Sequence, residues 1–81
     1  MNHPKIKKIN TDKNYILIVD FDNGIQKKYD CRKNFEYPAF ELLKDEAFFK
    51  QAKIDPGGYG ISWNDEIDLS EYELWQNGIA V

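Results

Sequence analysis

The chain is poor in the residues that carry most enzyme chemistry. Its 81 positions hold one histidine, His3, one cysteine, Cys31, and one methionine, Met1. A lone cysteine excludes an internal disulfide. Small domains in oxidising compartments are normally stapled by several, so a cytoplasmic location is expected. The stretch from Met1 to Lys13 has no apolar core of the signal-peptide kind. The longest apolar run, Tyr15 to Val19, is far below the ~20 residues of a membrane-spanning helix, so no membrane partner is expected. Repeats, low-complexity tracts and linkers are absent. Gly57-Gly58-Tyr59-Gly60 is no phosphate loop, because it lacks the Lys-Ser/Thr pair and the strand-to-helix setting. The expectation is a non-enzyme, with no catalytic residue, no cofactor and no metal.

What is present supports folding as a single domain over residues 1–81. The composition is 42% hydrophobic and 15% aromatic, too apolar for a disordered chain. A domain this short buries roughly 60% of its unfolded surface, so the five Phe, five Tyr and two Trp carry much of the core. The net charge of −3 is unevenly spread. Residues 1–33 hold eight Lys and Arg against four Asp, a net +4, whereas residues 34–81 hold three Lys against ten Asp and Glu, a net −7. That split predicts a basic and an acidic surface.

Along the chain, Ile6 to Asn10 reads as a charged edge strand whose lysines discourage unwanted pairing. Tyr15 to Phe21 is the strongest strand signal. Tyr15, Leu17, Val19 and Phe21 share one face, and Ile16 and Ile18 the other, which predicts a central strand covered on both sides. Asp22-Asn23-Gly24 is read as a three-residue hairpin loop with Gly24 left-handed. That register sets Leu17 opposite Tyr29 and Phe21 opposite Ile25, apolar against apolar. A helical region follows from Pro38 to Gln51, with Phe40, Leu43, Ala47 and Phe48 inward and a split at Lys44-Asp45-Glu46. Two strands, Ala52 to Asp55 and Tyr59 to Trp63, flank the Pro56-Gly57-Gly58 turn. The last helix opens at Ser70 with Glu73 three residues on, a capping box, and stops at Gly78. The predicted class is α+β: an antiparallel sheet of four to five strands, a central helical segment and a C-terminal helix, in the order βββ-α-ββ-α.

Several of these residues resemble a small bacterial family. Gly60-Ile61-Ser62-Trp63-Asn64, then Ile67-Asp68-Leu69 and Leu74-Trp75, are similar to the C-terminal signature of domain-of-unknown-function family 2442, which has the fold of the nitrosomonad-protein N-terminal domain. Val19-Asp20-Phe21-Asp22-Asn23-Gly24 resembles its hairpin, and Phe40, Leu43 and Phe48 or Phe49 its aromatic helical segment. The resemblance runs from Pro4 to Gly78 and implies no catalytic residues. It implies short proteins of bacteria and mobile elements, often encoded beside another small protein in a toxin–antitoxin-like layout. Some longer relatives append a DNA-reading helix-turn-helix, which is not expected in this chain.

The candidate sites are few. His3 is expected in a frayed terminus, without the orienting partner that catalysis requires. Cys31, beside Arg32 and Lys33, is read as a half-exposed structural thiol, since no base accompanies it. Asp65, Glu66 and Asp68 lack calcium-loop spacing and read as a turn in which Asp68 accepts backbone N–H groups. Lys5, Lys7, Lys8, Lys13, Lys27, Lys28, Arg32 and Lys33 form a candidate phosphate-contacting stripe, with Tyr15 or Tyr29 to stack on a base. The acidic pI of 5.0 makes nucleic acid the less favoured partner. The favoured function is a protein-binding regulatory module, antitoxin-like or an inhibitor, whose partner is another small protein or a second copy. Only two helical segments are available to cover both faces of the Tyr15–Phe21 strand, and a face left partly bare becomes an interaction patch, so the contact residues are expected among Ile16, Ile18, Tyr59 and Trp75.

Overall fold

The computed structural model describes residues 3–81. Two charged strands open the chain as a hairpin, β1 (Ile6–Asp12) and β2 (Ile16–Phe21). A bulge between Ile6 and Lys8 lets Ile6, Ile9 and Thr11 follow the apolar face of β2. Asn14 and Tyr15 both have φ of 62° in the connecting turn, so Tyr15 stands outside the strand. Its ring packs edge-on against Phe35 and Phe49 instead.

The second hairpin follows the predicted register. Strand β3 (Gln26–Asp30) pairs Tyr29 with Leu17, Phe21 N–H donates to Ile25 O at 2.9 Å, and Gly24 has φ of 88°.

The central helical region breaks where its charges fall. A 3-10 segment, Pro38–Lys44, gives way to a single α-turn, α1 (Glu46–Phe49). Asp45 caps that turn by accepting from Ala47 N–H at 3.0 Å and Phe48 N–H at 3.4 Å. The pitch change alters which side chains point inward. Leu43 and Phe49 are buried, Phe40 and Phe48 are half-buried, and the predicted core residue Ala47 is exposed.

Next come β4 (Lys53–Ile54), β5 (Gly60–Ser62) and β6 (Asp68–Ser70), an antiparallel three-stranded sheet. Here Asn64, not Asp68, organises the turn: its side chain accepts from the N–H groups of Glu66 and Ile67, both at 2.8 Å. Asp68 pairs with Ser62 inside β6. Helix α2 (Glu71–Asn77) is capped by Ser70, which accepts from Glu73 N–H at 3.0 Å. The reciprocal half of the capping box is not made, because Glu73 reaches Tyr29 instead. Past Gly78, β7 (Ile79–Ala80) returns to β3 and completes a four-stranded antiparallel sheet ordered β1-β2-β3-β7. The α+β class with its four-stranded antiparallel sheet and C-terminal helix is therefore as predicted. The short strands β6 and β7 and the division into two sheets are additions.

One core joins the layers. Leu17, Val19, Phe21 and Tyr29 of the first sheet meet Ile61 and Leu69 of the second, Leu43 and Phe49 of the helical segment, and Leu74 of α2. Trp63 closes it, its indole N–H donating to Phe49 O at 2.8 Å. Among the described residues the opposite face of the first sheet carries no layer of this core, contrary to the expectation of cover on both sides: Ile16 and Ile18 are only half-buried there.

Candidate functional site

Strand register determines what stands on that outer face, because side chains alternate between faces along a strand. One row across the sheet is Asn10, Ile18, Lys28 and Ile79. The row beside it is Asp12, Ile16 and Asp30, and the row on the other side is Lys8, Asp20 and Gln26. Val81 follows Ile79 by two residues and is tied to Gln26 O through its N–H at 3.1 Å. Ile79 is 75% exposed and Val81 72%. An open cleft of about 410 Å³ runs between Ile16, Lys28, Asp30, Ile79, Ala80 and Val81.

The polar groups around these aliphatic side chains are tied to one another. Arg32 donates to both carboxylate oxygens of Asp30, with Nη2 to Oδ2 at 2.7 Å. That bonding holds the Asp30 carboxyl below its ordinary value, against an opposing effect of burial. Gln26 donates to Asp20 at 2.7 Å. Lys8 and Lys28 have no ion-pair partner among the described residues. The face therefore offers aliphatic contact area within a frame of oriented charges.

The four expected contact residues separate. Ile16 and Ile18 share the outer face. Tyr59, 60% exposed, leaves the Pro56–Gly58 turn elsewhere, with Lys5 Nζ 4.8 Å from its ring. Trp75 is half-buried against the core, edge-on to Phe21 at 5.1 Å. Lys27 lies over its ring at 3.8 Å and donates to its carbonyl at 2.5 Å. Ile79 and Val81, missing from the sequence reading, take their place on the face.

Nor do the lysines converge on a stripe. Lys8 and Lys28 are on the outer face, and Lys7 is exposed at the bulge. Lys27 covers Trp75, Lys33 lies 4.0 Å over the Tyr29 ring, Arg32 holds Asp30, and Lys5 faces Glu71 at 3.9 Å.

His3 is anchored rather than frayed. Its Nε2 lies 3.0 Å from Glu71 Oε1, and its ring meets Tyr72 edge-on at 5.3 Å. Cys31 is fully buried instead of half-exposed. Burial, with a smaller contribution from Asp30, pushes its thiol up to about 12, so it is a poor nucleophile at neutral pH. Tyr29 is likewise buried. Its hydroxyl donates to Glu73 Oε2 at 2.8 Å and accepts from Asn34 Nδ2 at 3.2 Å. Desolvation raises it far above the ordinary phenol value, so it stays protonated. Among the described residues no three His, Cys, Asp or Glu side chains converge as a metal shell would need. No helix among the described residues is long and apolar enough to cross a membrane.

Comparison with known proteins gives a fold and a family. The family described as protein of unknown function (DUF2442) matches residues 6–80. A crystal structure of a protein of unknown function from Rhodospirillum rubrum ATCC 11170 is similar, with a TM-score of 0.64 and 26% identity. The similarity covers 85% of this chain and 81% of that one. No curated protein matches.

Proposed function

We propose that this chain, which belongs to the DUF2442 family of proteins of unknown function, is a small non-catalytic regulatory module that binds another protein on the outer face of its four-stranded sheet. One observation carries the reading. A sheet packed on one side only leaves Ile16, Ile79 and Val81 around an open cleft, with Ile18 on the same face in the row of Lys28 and Ile79, and with the neighbouring carboxylates held by Arg32 and Gln26. Burying a mostly exposed Ile or Val contributes about 1.5–3 kcal/mol. Association costs on the order of 4–15 kcal/mol, so a partner must cover the whole face rather than one side chain. In a two-protein system of the kind the resemblance implies, the module takes the antitoxin-like or inhibitor part in the cytoplasm and masks its partner by contact.

The rival is a nucleic-acid-associated regulator, favoured by Lys8 and Lys28 on the same face with Lys7 beside them. Against it stands the engagement of Lys5, Lys27, Arg32 and Lys33 with groups of the chain itself.

The test is capture of a partner from the native host by the tagged protein, repeated with Ile18→Lys. The sheet-face reading expects capture to fall at least tenfold while the melting temperature stays within about 2 °C. It also expects the partner to slow amide exchange in β2 and β7. Undiminished capture by Ile18→Lys refutes the docking face. Binding of duplex or single-stranded DNA that falls steeply with salt, with no protein captured, decides for the rival.

A further inference from the structure

The segment Pro38–Lys44 winds as a 3-10 helix, which repeats every three residues, so side chains three apart share a face. Phe40 and Leu43 form the inward face, half-buried and buried respectively. Ala39 and Leu42 therefore form an outward one, and Leu42 is 54% exposed. Tyr37, immediately before the segment, is also 54% exposed.

Beside this face runs an open groove of about 590 Å³ between the segment and the Asn64–Ile67 turn, lined by Pro38, Ala39, Glu41, Leu42, Glu66 and Ile67. Its floor is aliphatic and its charged lining is carboxylate only. Glu41 shares its charge with Lys44 Nζ at 3.2 Å. Glu66 forms no ion pair among the described residues, and Glu36 adds an exposed carboxylate next to Tyr37. None of these residues belongs to the outer sheet face.

We infer that this groove is a second docking surface, and that its occupant is a basic, apolar segment of another protein. Aliphatic side chains of the segment would lie on Pro38, Ala39, Leu42 and Ile67, and its Lys or Arg residues would meet Glu66 and Glu41. This is the groove mode of peptide recognition, with a complementary charged rim setting orientation. The inference is independent of the sheet-face reading, since it uses other residues and specifies the chemistry of the bound segment.

The probe is a display library of random twelve-residue peptides selected on the full chain at low salt. The expected clones combine Lys or Arg with Leu, Ile or Phe. Their binding should weaken at least tenfold with Leu42→Glu and, separately, with Glu66→Lys, and should fall with rising salt. Both substitutions fall at exposed positions, and unchanged thermal melts confirm that the variants fold. Ile18→Lys should leave the clones bound. No enrichment, enrichment of acidic or uncharged clones, or clones that still bind both groove variants overturns the inference. Clones lost on Ile18→Lys but kept on the groove variants overturn it too, while supporting the sheet face as the working surface.

Discussion

Two glycines with nearly the same backbone angle should respond very differently to a methyl group. Gly24 has φ of +88° and lies in open space, with nothing within 4 Å of where a Cβ would stand. Gly58 has φ of +76° and is buried in the turn before β5. There a Cβ would collide with the carbonyl oxygen of Ile6 and stand 3.0 Å from Ile6 N and 3.1 Å from Lys5 Cβ. At Gly24 the cost is left-handed backbone strain alone, about 1 kcal/mol after the stiffer unfolded chain offsets part of it. At Gly58 the same strain is joined by a clash with backbone, and overpacking typically adds about 1–3 kcal/mol. The β1 main chain cannot swing aside as a side-chain tip would, so about 3–4 kcal/mol in total is expected. For a domain of this size 1 kcal/mol shifts the melting temperature by about 4–8 °C. Gly24→Ala should then melt a few degrees low and Gly58→Ala more than about 12 °C low. Urea titration followed by the fluorescence of the buried Trp63 measures both. Equal costs at the two positions would refute the reasoning, because they would mean that the turn before β5 is not seated on β1.

Two further outcomes follow from the helix cap and the buried thiol. Ser70→Ala removes the acceptor for Glu73 N–H and should cost about 0.5–2 kcal/mol in chemical denaturation; a neutral result would show the cap idle. Cys31 should resist a thiol-reactive disulfide reagent until the protein unfolds. Its thiol is raised from 9.0 to about 12 in the fold, so between those values the unfolded chain binds fewer protons than the folded one. Stability contributed by this group is complete below about pH 9 and declines as pH rises toward about 12. Cys31→Ala should remove part of that alkaline decline, and an undiminished decline would place its origin elsewhere, for example in Tyr29.

How much was legible depended on the length of the pattern. The Ile16-to-Phe21 alternation and the Asp22-Asn23-Gly24 loop extend over enough residues to fix register, face and turn type, and they did so correctly. Ile16 and Ile18 were therefore placed together on one face from sequence, although that face was expected to be covered. Ile79 and Val81 were not, because two residues after a helix-stopping glycine carry no period. The three-residue strand β6 hid for the same reason behind the Asn64–Glu66 turn. Phe49 displaced Ala47 and Phe48 from the core because Asp45 restarts the helix with a new phase, and an unbroken 3.6-residue count points the wrong side chains inward. Tyr59 and Trp75 look alike as aromatics, yet one projects into solvent and the other seals the core beneath Lys27. Only the tertiary fold distinguishes them. Cys31 sits one residue beyond a strand end, where alternation no longer says which way a side chain turns.

The hydroxyl of Tyr29 has one proton, and its neighbours leave it a single arrangement. Glu73 can only accept it, and the Asn34 amide can then only donate. A shift of α2 by one residue would turn Glu73 about 100° around the helix axis. The buried phenol would be left without an acceptor for its proton, at about 1–3 kcal/mol. No intermediate setting satisfies the three groups, so the helix is indexed to the sheet in discrete steps, like a ratchet tooth rather than a sliding bearing. Load placed on either layer is passed to the other as a rigid displacement, or else the contact fails outright.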